Sequence, residues 1–181
     1  MAVARRAAGR RSRQRQPASF RYTVDASVFV NAFNPHEEGH ADSLAVLASI
    51  QEHADPVIVP ALLIPEIASA VARASDDSSG ASAYARATAG LPHLMLVPLA
   101  STMAREAAEL AATYRLRGAD AVYVAVARRY GTTLVTRDEE QRSRGSSIVT
   151  CQTPAEALSR RQEPAQARRR LSPRIAKRQR K

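Results

Sequence analysis

The sequence has no tryptophan, one cysteine and two lysines among its 181 residues. A single cysteine, Cys151, excludes an internal disulfide framework and a Cys-based zinc knuckle, and it fits a reducing, cytosolic setting. Lys177 and Lys181 are the two lysines. The rest of the chain therefore has no lysine for a P-loop or a Schiff base, and it carries no Gly-rich dinucleotide fingerprint. Aromatic residues make up 4% of the chain, which is poor material for stacking-driven binding of single strands. No apolar run approaches the ~20 residues that span a bilayer. Residues 1–21 are Arg-rich and have no apolar h-region of a secretory signal. A cytoplasmic location without membrane association is expected.

Apolar residues make up 45% of the sequence, enough for one core, and the length suits one ordinary domain. The net charge is +10, and 25 of the 27 basic residues are Arg. The charge is unevenly placed. Residues 1–21 hold 7 basic and no acidic side chains, and residues 159–181 hold 10 basic and one acidic, Glu163. Residues 22–158 hold 10 basic against 16 acidic. The expected organisation is an acidic domain over 22–158 between two basic tails. Like-charge runs with few large apolar groups do not order themselves, so both tails are expected to be disordered when free. They either solubilise the chain or hold phosphate backbones through counterion release, work that suits Arg.

The body reads as alternating strand and helix. Strands are expected over 22–24, 57–59, 94–97, 133–136 and 147–149. Helices are expected over 27–33, 41–53, 62–74, 82–89, 101–114, 119–130 and 154–158. Ser101 is the expected N-cap of its helix, and 76–80 is an expected polar break. The alternation implies crossover connections and a parallel sheet covered on both faces, an α/β fold of three layers, α/β/α.

That topology has a chemical consequence. In a parallel sheet the strand C-termini and the following helix N-termini share one edge, where ligands bind. Asp25 ends the first strand, and Glu66 lies in the first turns of a helix. Asp120 opens another helix, and Asp138 follows the fourth strand. Singly, each has an ordinary explanation: helix-dipole partner, N-cap or turn residue. Together they are costly. Two carboxylates ~4 Å apart repel by about 4 kcal/mol at an effective dielectric of 20, so four need protons or a cation. Hard oxygen donors suit Mg²⁺ or Mn²⁺. Such an ion turns water into a nucleophile and steadies a phosphodiester transition state.

Four segments carry a family resemblance. Val24-Asp25-Ala26-Ser27 resembles the opening acid motif of the PIN domain, in particular of VapC-like toxin ribonucleases. Pro65-Glu66-Ile67-Ala68 resembles its second acid segment, and Ala119-Asp120-Ala121-Val122-Tyr123-Val124 its third. Leu134-Val135-Thr136-Arg137-Asp138 resembles its fourth. The resemblance spans 22–158. It implies a metal-dependent endoribonuclease with Asp25, Glu66, Asp120 and Asp138 as the Mg²⁺- or Mn²⁺-binding acids. Ser27 and Thr136 would be hydroxyl supports and Asn31 a polar neighbour. It further implies an RNA substrate, a cognate antitoxin and a homodimer. Arg137, Arg117 and Arg73 are candidate phosphate holders. Pro65 departs from the pattern and is expected to shift the start of its helix, because it lacks a backbone donor. A non-catalytic RNA-binding module of the same fold is the alternative reading. Four acids argue against it, since they repel phosphate.

Other motifs are set aside. His36-Glu37-Glu38-Gly39-His40 matches the zincin pattern, but Pro35 precedes it, Gly39 interrupts it and no third ligand follows at a suitable spacing. A haloacid-dehalogenase-like phosphatase would need a second Asp where Ser27 stands. Glu139 and Glu140 read as a solvated turn, with one of them reaching the metal as the alternative, Cys151 as a packing residue, and Tyr123 and Tyr130 as core or dimer surface.

Overall fold

A computed structural model describes residues 20–162; most of the two basic segments expected to be disordered lies outside the described residues. The chain order is β1 (Tyr22–Val24), α1 (Ala26–Phe33), α2 (His40–Glu52), β2 (Val57–Pro60), α3 (Leu63–Ser75), α4 (Ser78–Ala89), β3 (Leu94–Val97), α5 (Ser101–Tyr114), α6 (Gly118–Tyr130), β4 (Thr133–Val135), α7 (Glu139–Gly145), β5 (Cys151–Gln152) and α8 (Pro154–Gln162). The five strands form one sheet in the order β3-β2-β1-β4-β5, and every pairing is parallel.

The expected three-layer α/β/α sandwich follows from this order. The chain steps from β1 to β2 to β3 in one direction, then returns across the sheet to β4. Right-handed crossovers put α1–α4 on one face and α5–α6 on the other. β1 and β2 are buried along their whole length, the mark of central strands covered on both sides. Leu63, Ile67 and Val71 form the buried stripe of α3, at the helical spacing. In α6 every residue from Ala121 to Ala127 is buried. A helix buried all round lies between two layers, here the sheet and α5.

Several ends differ from the expected ones, each for a local reason. Asp77 caps α4 by accepting from the Gly80 N–H at 2.9 Å, so the helix begins inside the expected polar break. Ala100, not Ser101, is the N-cap of α5; its backbone is extended, and Ser101 is already helical. Residues 147–149 are not a strand. The N–H groups of Ile148 and Val149 both donate to the Gly145 carbonyl, closing a turn after α7. The fifth strand lies further on, with Cys151 and Gln152 in register with Leu134 and Val135. Glu139 and Glu140 are not a loose turn but the first turn of α7. Asp138 starts that helix, and acids there complement its dipole. The last helix runs to Gln162. Thr153 and Glu156 cap it reciprocally: Thr153 N–H donates to Glu156 Oε2 at 2.8 Å and Glu156 N–H to Thr153 Oγ1 at 3.1 Å. Arg161 pairs with the buried Asp55, and its guanidinium lies 5.2 Å from the Phe20 ring centre.

Gly131 closes α6 in the left-handed conformation, at φ +61°, with its N–H on the Ala127 carbonyl. A Cβ there would meet nothing within 4 Å. Gly131→Ala is therefore a conformational test alone, expected to cost about 1–2 kcal/mol. Urea unfolding would show this as a lower midpoint at unchanged slope.

Candidate active site at the carboxyl edge of the sheet

All four predicted acids come to the carboxyl edge of the sheet. Asp25 follows β1 directly. Its own N–H donates to the Val135 carbonyl at 2.9 Å, which ties it to β4. Its side chain caps α1 by accepting from the Ser27 N–H at 3.0 Å, and it is 8% exposed. Glu66 lies in the first turn of α3. Pro65 sits in that turn too, where a missing N–H leaves few intrahelical bonds unmade, and α3 begins upstream of it at Leu63. Asp120 lies in the first turn of α6. Asp138 caps α7, accepting from the Gln141 N–H at 2.9 Å. For Asp25 and Asp138, capping and site membership coincide: the hydrogen bond that starts a helix also fixes the carboxylate.

The supports fall in place around them. Thr136 Oγ1 accepts from the Asp138 N–H at 3.0 Å. Ser27 Oγ accepts from the Arg137 N–H at 3.2 Å, pinning the turn after β4 to α1. Asn31 is buried but serves a neighbouring loop, donating from Nδ2 to the Glu38 carbonyl at 3.0 Å. Arg137 is bound into the same loop, through Glu37 at 3.2 Å and the Glu38 carbonyl at 2.6 Å. Arg73 lies in the last turn of α3. Seven residues from Glu66, it is about 10 Å along the helix from that acid, so the fold sets it at the other end. Arg117, the N-cap of α6, is the cation on the site. It donates to Asp138 Oδ2 at 3.2 Å and to Glu140 Oε2 at 2.8 Å.

Two further side chains join the site, Tyr123, which sequence reading did not place there, and Glu140, for which the metal was only the alternative to a solvated turn. Tyr123, one turn after Asp120, is fully buried and donates from its hydroxyl to Glu66 Oε2 at 2.7 Å. The i, i+3 spacing from Asp120 puts both on one face of α6 and was readable. Glu140 lies close enough to affect Asp120.

The electrostatics are those of crowded anions. Burial raises the pKa of Asp25; the Ser27 bonds oppose it and the Asp138 charge adds to it. Burial also raises Glu66, opposed by the Tyr123 hydrogen bond and reinforced by Asp25 and Asp120. Asp120 is pushed up to about 6, by burial first, then by Asp138 and Asp25, with Arg117 pulling the other way. Tyr123 is pushed well above the usual phenol range by burial and by the Asp25 and Glu66 charges, so it stays a donor. Tyr123→Phe removes that donor and keeps the ring. It is expected to lower any activity of the site by about 10–100-fold, the usual cost of losing a support behind a ligand. A rate measurement beside a thermal melt separates this from unfolding.

The donor chemistry fits a hard divalent cation. All four groups are carboxylates, and Asp120 Oδ2 is buried without a hydrogen-bond partner among the described residues, an uncommon state for a buried oxygen. As the side chains stand, no three His, Cys, Asp or Glu groups among the described residues are gathered to hold a metal. The zincin-like pair does not form a site either: His40 opens α2, while His36 precedes Gly39, whose φ is +76°.

A parallel α/β domain with an acid cluster at its carboxyl edge is the class these features define. The PIN domain profile matches residues 22–145, and the chain belongs to the PIN domain family. No curated protein matches the sequence. Solved structures share the fold. VapC20 of Mycobacterium tuberculosis, described as a toxin that cleaves the sarcin–ricin loop, is 18% identical with a TM-score of 0.59, over 71% of this chain and 96% of that one. VapBC2 of Rickettsia felis, solved on a promoter DNA fragment, is 13% identical with a TM-score of 0.56, over 74% and 98%. FitAcB of Neisseria gonorrhoeae is 20% identical with a TM-score of 0.54, over 74% and 97%.

Proposed function

We propose that this protein is a divalent-metal-dependent endoribonuclease, the toxin of a toxin–antitoxin pair. The observation that carries the reading is the meeting of Asp25, Glu66, Asp120 and Asp138 at one edge of a PIN fold, with an orphaned carboxylate oxygen on Asp120. Those four acids would hold Mg²⁺ or Mn²⁺. When bound, the cation supplies an activated water and offsets charge on the scissile phosphate.

The remaining work belongs to the chain. Ser27 N–H fixes the Asp25 carboxylate. Tyr123 fixes Glu66. The Thr136 hydroxyl and Gln141 N–H hold Asp138 at the head of α7. Arg117 is more than half exposed and is the residue placed to meet a flanking phosphate once its carboxylates are otherwise neutralised. The acid edge alone repels RNA; the arginines of residues 1–21 and 159–181 would restore attraction over a longer range.

The structural likeness to VapBC and FitAB complexes supports an antitoxin as partner. A second copy of the chain is the further partner expected. No helix among the described residues is long and apolar enough to cross a membrane.

The test is cleavage of a mixed pool of structured RNAs by the full chain, in Mg²⁺, Mn²⁺ or EDTA. Cleavage that needs the ion supports the reading. Tight, salt-sensitive binding without cleavage in any ion would instead favour a non-catalytic RNA-binding module.

A further inference from the structure

Gln141 is the most anomalous side chain near the acids. It is 0% exposed, and neither Nε2 nor Oε1 has a hydrogen-bond partner among the described residues. Its position is forced. Gln141 and Gly145 are the buried residues of α7, four apart and hence on one face. At Gly145 the helix packs so closely that a Cβ would stand 3.2 Å from Cys151 Sγ and 3.3 Å from Val124 Cγ2. That close approach drives the Gln141 side chain inward. Its backbone N–H donates to Asp138 Oδ1. Its amide lies within interaction range of the Asp25 carboxylate, yet it does not reach good hydrogen-bond geometry there.

A packing role alone does not explain the residue. Leucine or methionine would fill similar space without leaving two polar groups unpaired in the interior, which is destabilising. Buried amides are nearly always satisfied, and this one lies between two of the four acids. Asp120 Oδ2 is orphaned as well.

We propose that Gln141 is a positioning residue of the acid site. Its backbone N–H orients Asp138; once a cation fills the site, its Nε2–H group donates to Asp25 and its Oε1 accepts from water held at the acids. One residue thereby ties together the carboxylates of β1 and α7 at no cost in charge, where a fifth acid would add repulsion. This inference rests on the metal-dependent reading of the site.

The experiment compares the wild-type chain with Gln141→Leu and Gln141→Met, reading Mn²⁺ affinity by electron paramagnetic resonance and the melting temperature in EDTA. Both variants are expected to melt at or above the wild-type temperature in EDTA, because a buried unpaired amide is gone. Their Mn²⁺ affinity is expected to fall about tenfold or more, as for residues that orient metal ligands. If one variant fails to fold, the other carries the comparison. Affinity within twofold of wild type would show that Gln141 only fills space and would overturn the proposal. Wild-type protein that binds no Mn²⁺ would overturn the metal reading itself, and the role of Gln141 with it.

Discussion

Asp120→Asn is expected to abolish RNA cleavage while making the metal-free protein harder to unfold. Both effects come from one charge. Residues behind a metal ligand typically cost 10–100-fold when removed, so loss of the ligand itself is expected to cost at least about a hundredfold in cleavage rate. Asparagine keeps the shape of aspartate, so the lost activity is not a packing effect. The gain in stability follows from the crowding of the site. Asp120 is pushed up to about 6 by burial and by the charges of Asp138 and Asp25. At neutral pH it is nevertheless mostly ionised, and the fold bears the repulsion. Asparagine removes it. Asp120 is only partly buried, so solvent screens part of the effect. A gain of about 1 kcal/mol corresponds to about 2–4 °C in melting temperature for a chain of this size. An active variant, or an inactive one that melts lower, would mean that Asp120 serves the fold rather than the chemistry.

Protons and divalent cations should compete for the same carboxylates, and this gives the second large effect. The folded-state pKa of Asp120 lies above its ordinary value of 3.8, and Asp25 and Glu66 move in the same direction. The folded protein therefore holds these protons more tightly than the unfolded chain. In EDTA, stability is expected to rise as pH falls through about 6, with the gain complete near pH 4, and to be lost again as pH rises. Mn²⁺ should do the reverse. It stabilises the ionised site, by about 2.7 kcal/mol at a hundred times its dissociation constant, and the effect should fade below pH 6 as protons displace it. Melting curves at about pH 5 and about pH 7.5, with Mn²⁺ or EDTA, check both signs. A melting temperature that falls on acidification in EDTA would contradict the crowded-acid account. So would equal stabilisation by Mn²⁺ at both pH values.

The long elements were legible because their packing is periodic. Ile67 and Val71 recur on α3, and the buried run of α6 follows an acid; both patterns survive without knowledge of neighbours. The placement of Asp25, Glu66, Asp120 and Asp138 at one edge was legible because a parallel sheet sets strand ends and helix starts there whatever the details. The region after β4 was not. Ile148 and Val149 have strand character, but the Gly145 carbonyl takes both their N–H groups. The true edge strand is two residues, Cys151 and Gln152, too short to carry a pattern. The polar α7 has no apolar period, although Asp138 and Gln141 stand at the spacing of an N-terminal cap. That same spacing is the signal that would have brought Gln141 to the site. Tyr123 was legible as core but not as a partner of Glu66. That contact joins residues 57 positions apart, and only the packing of α6 across the sheet brings it about.

The acid edge is expected to cleave RNA with water as the nucleophile. The most direct test is the chemistry of the cut ends. Full-length protein would be incubated with structured RNA in Mg²⁺, Mn²⁺ or EDTA, and the product termini mapped. Attack by water leaves no 2′,3′-cyclic phosphate, and dependence on a cation for activating that water makes EDTA silence the reaction. Linear ends that appear only with Mg²⁺ or Mn²⁺ are the predicted result. Cyclic phosphates would show that the ribose hydroxyl attacks, and cuts that persist in EDTA would show that no cation is needed; either would contradict the account.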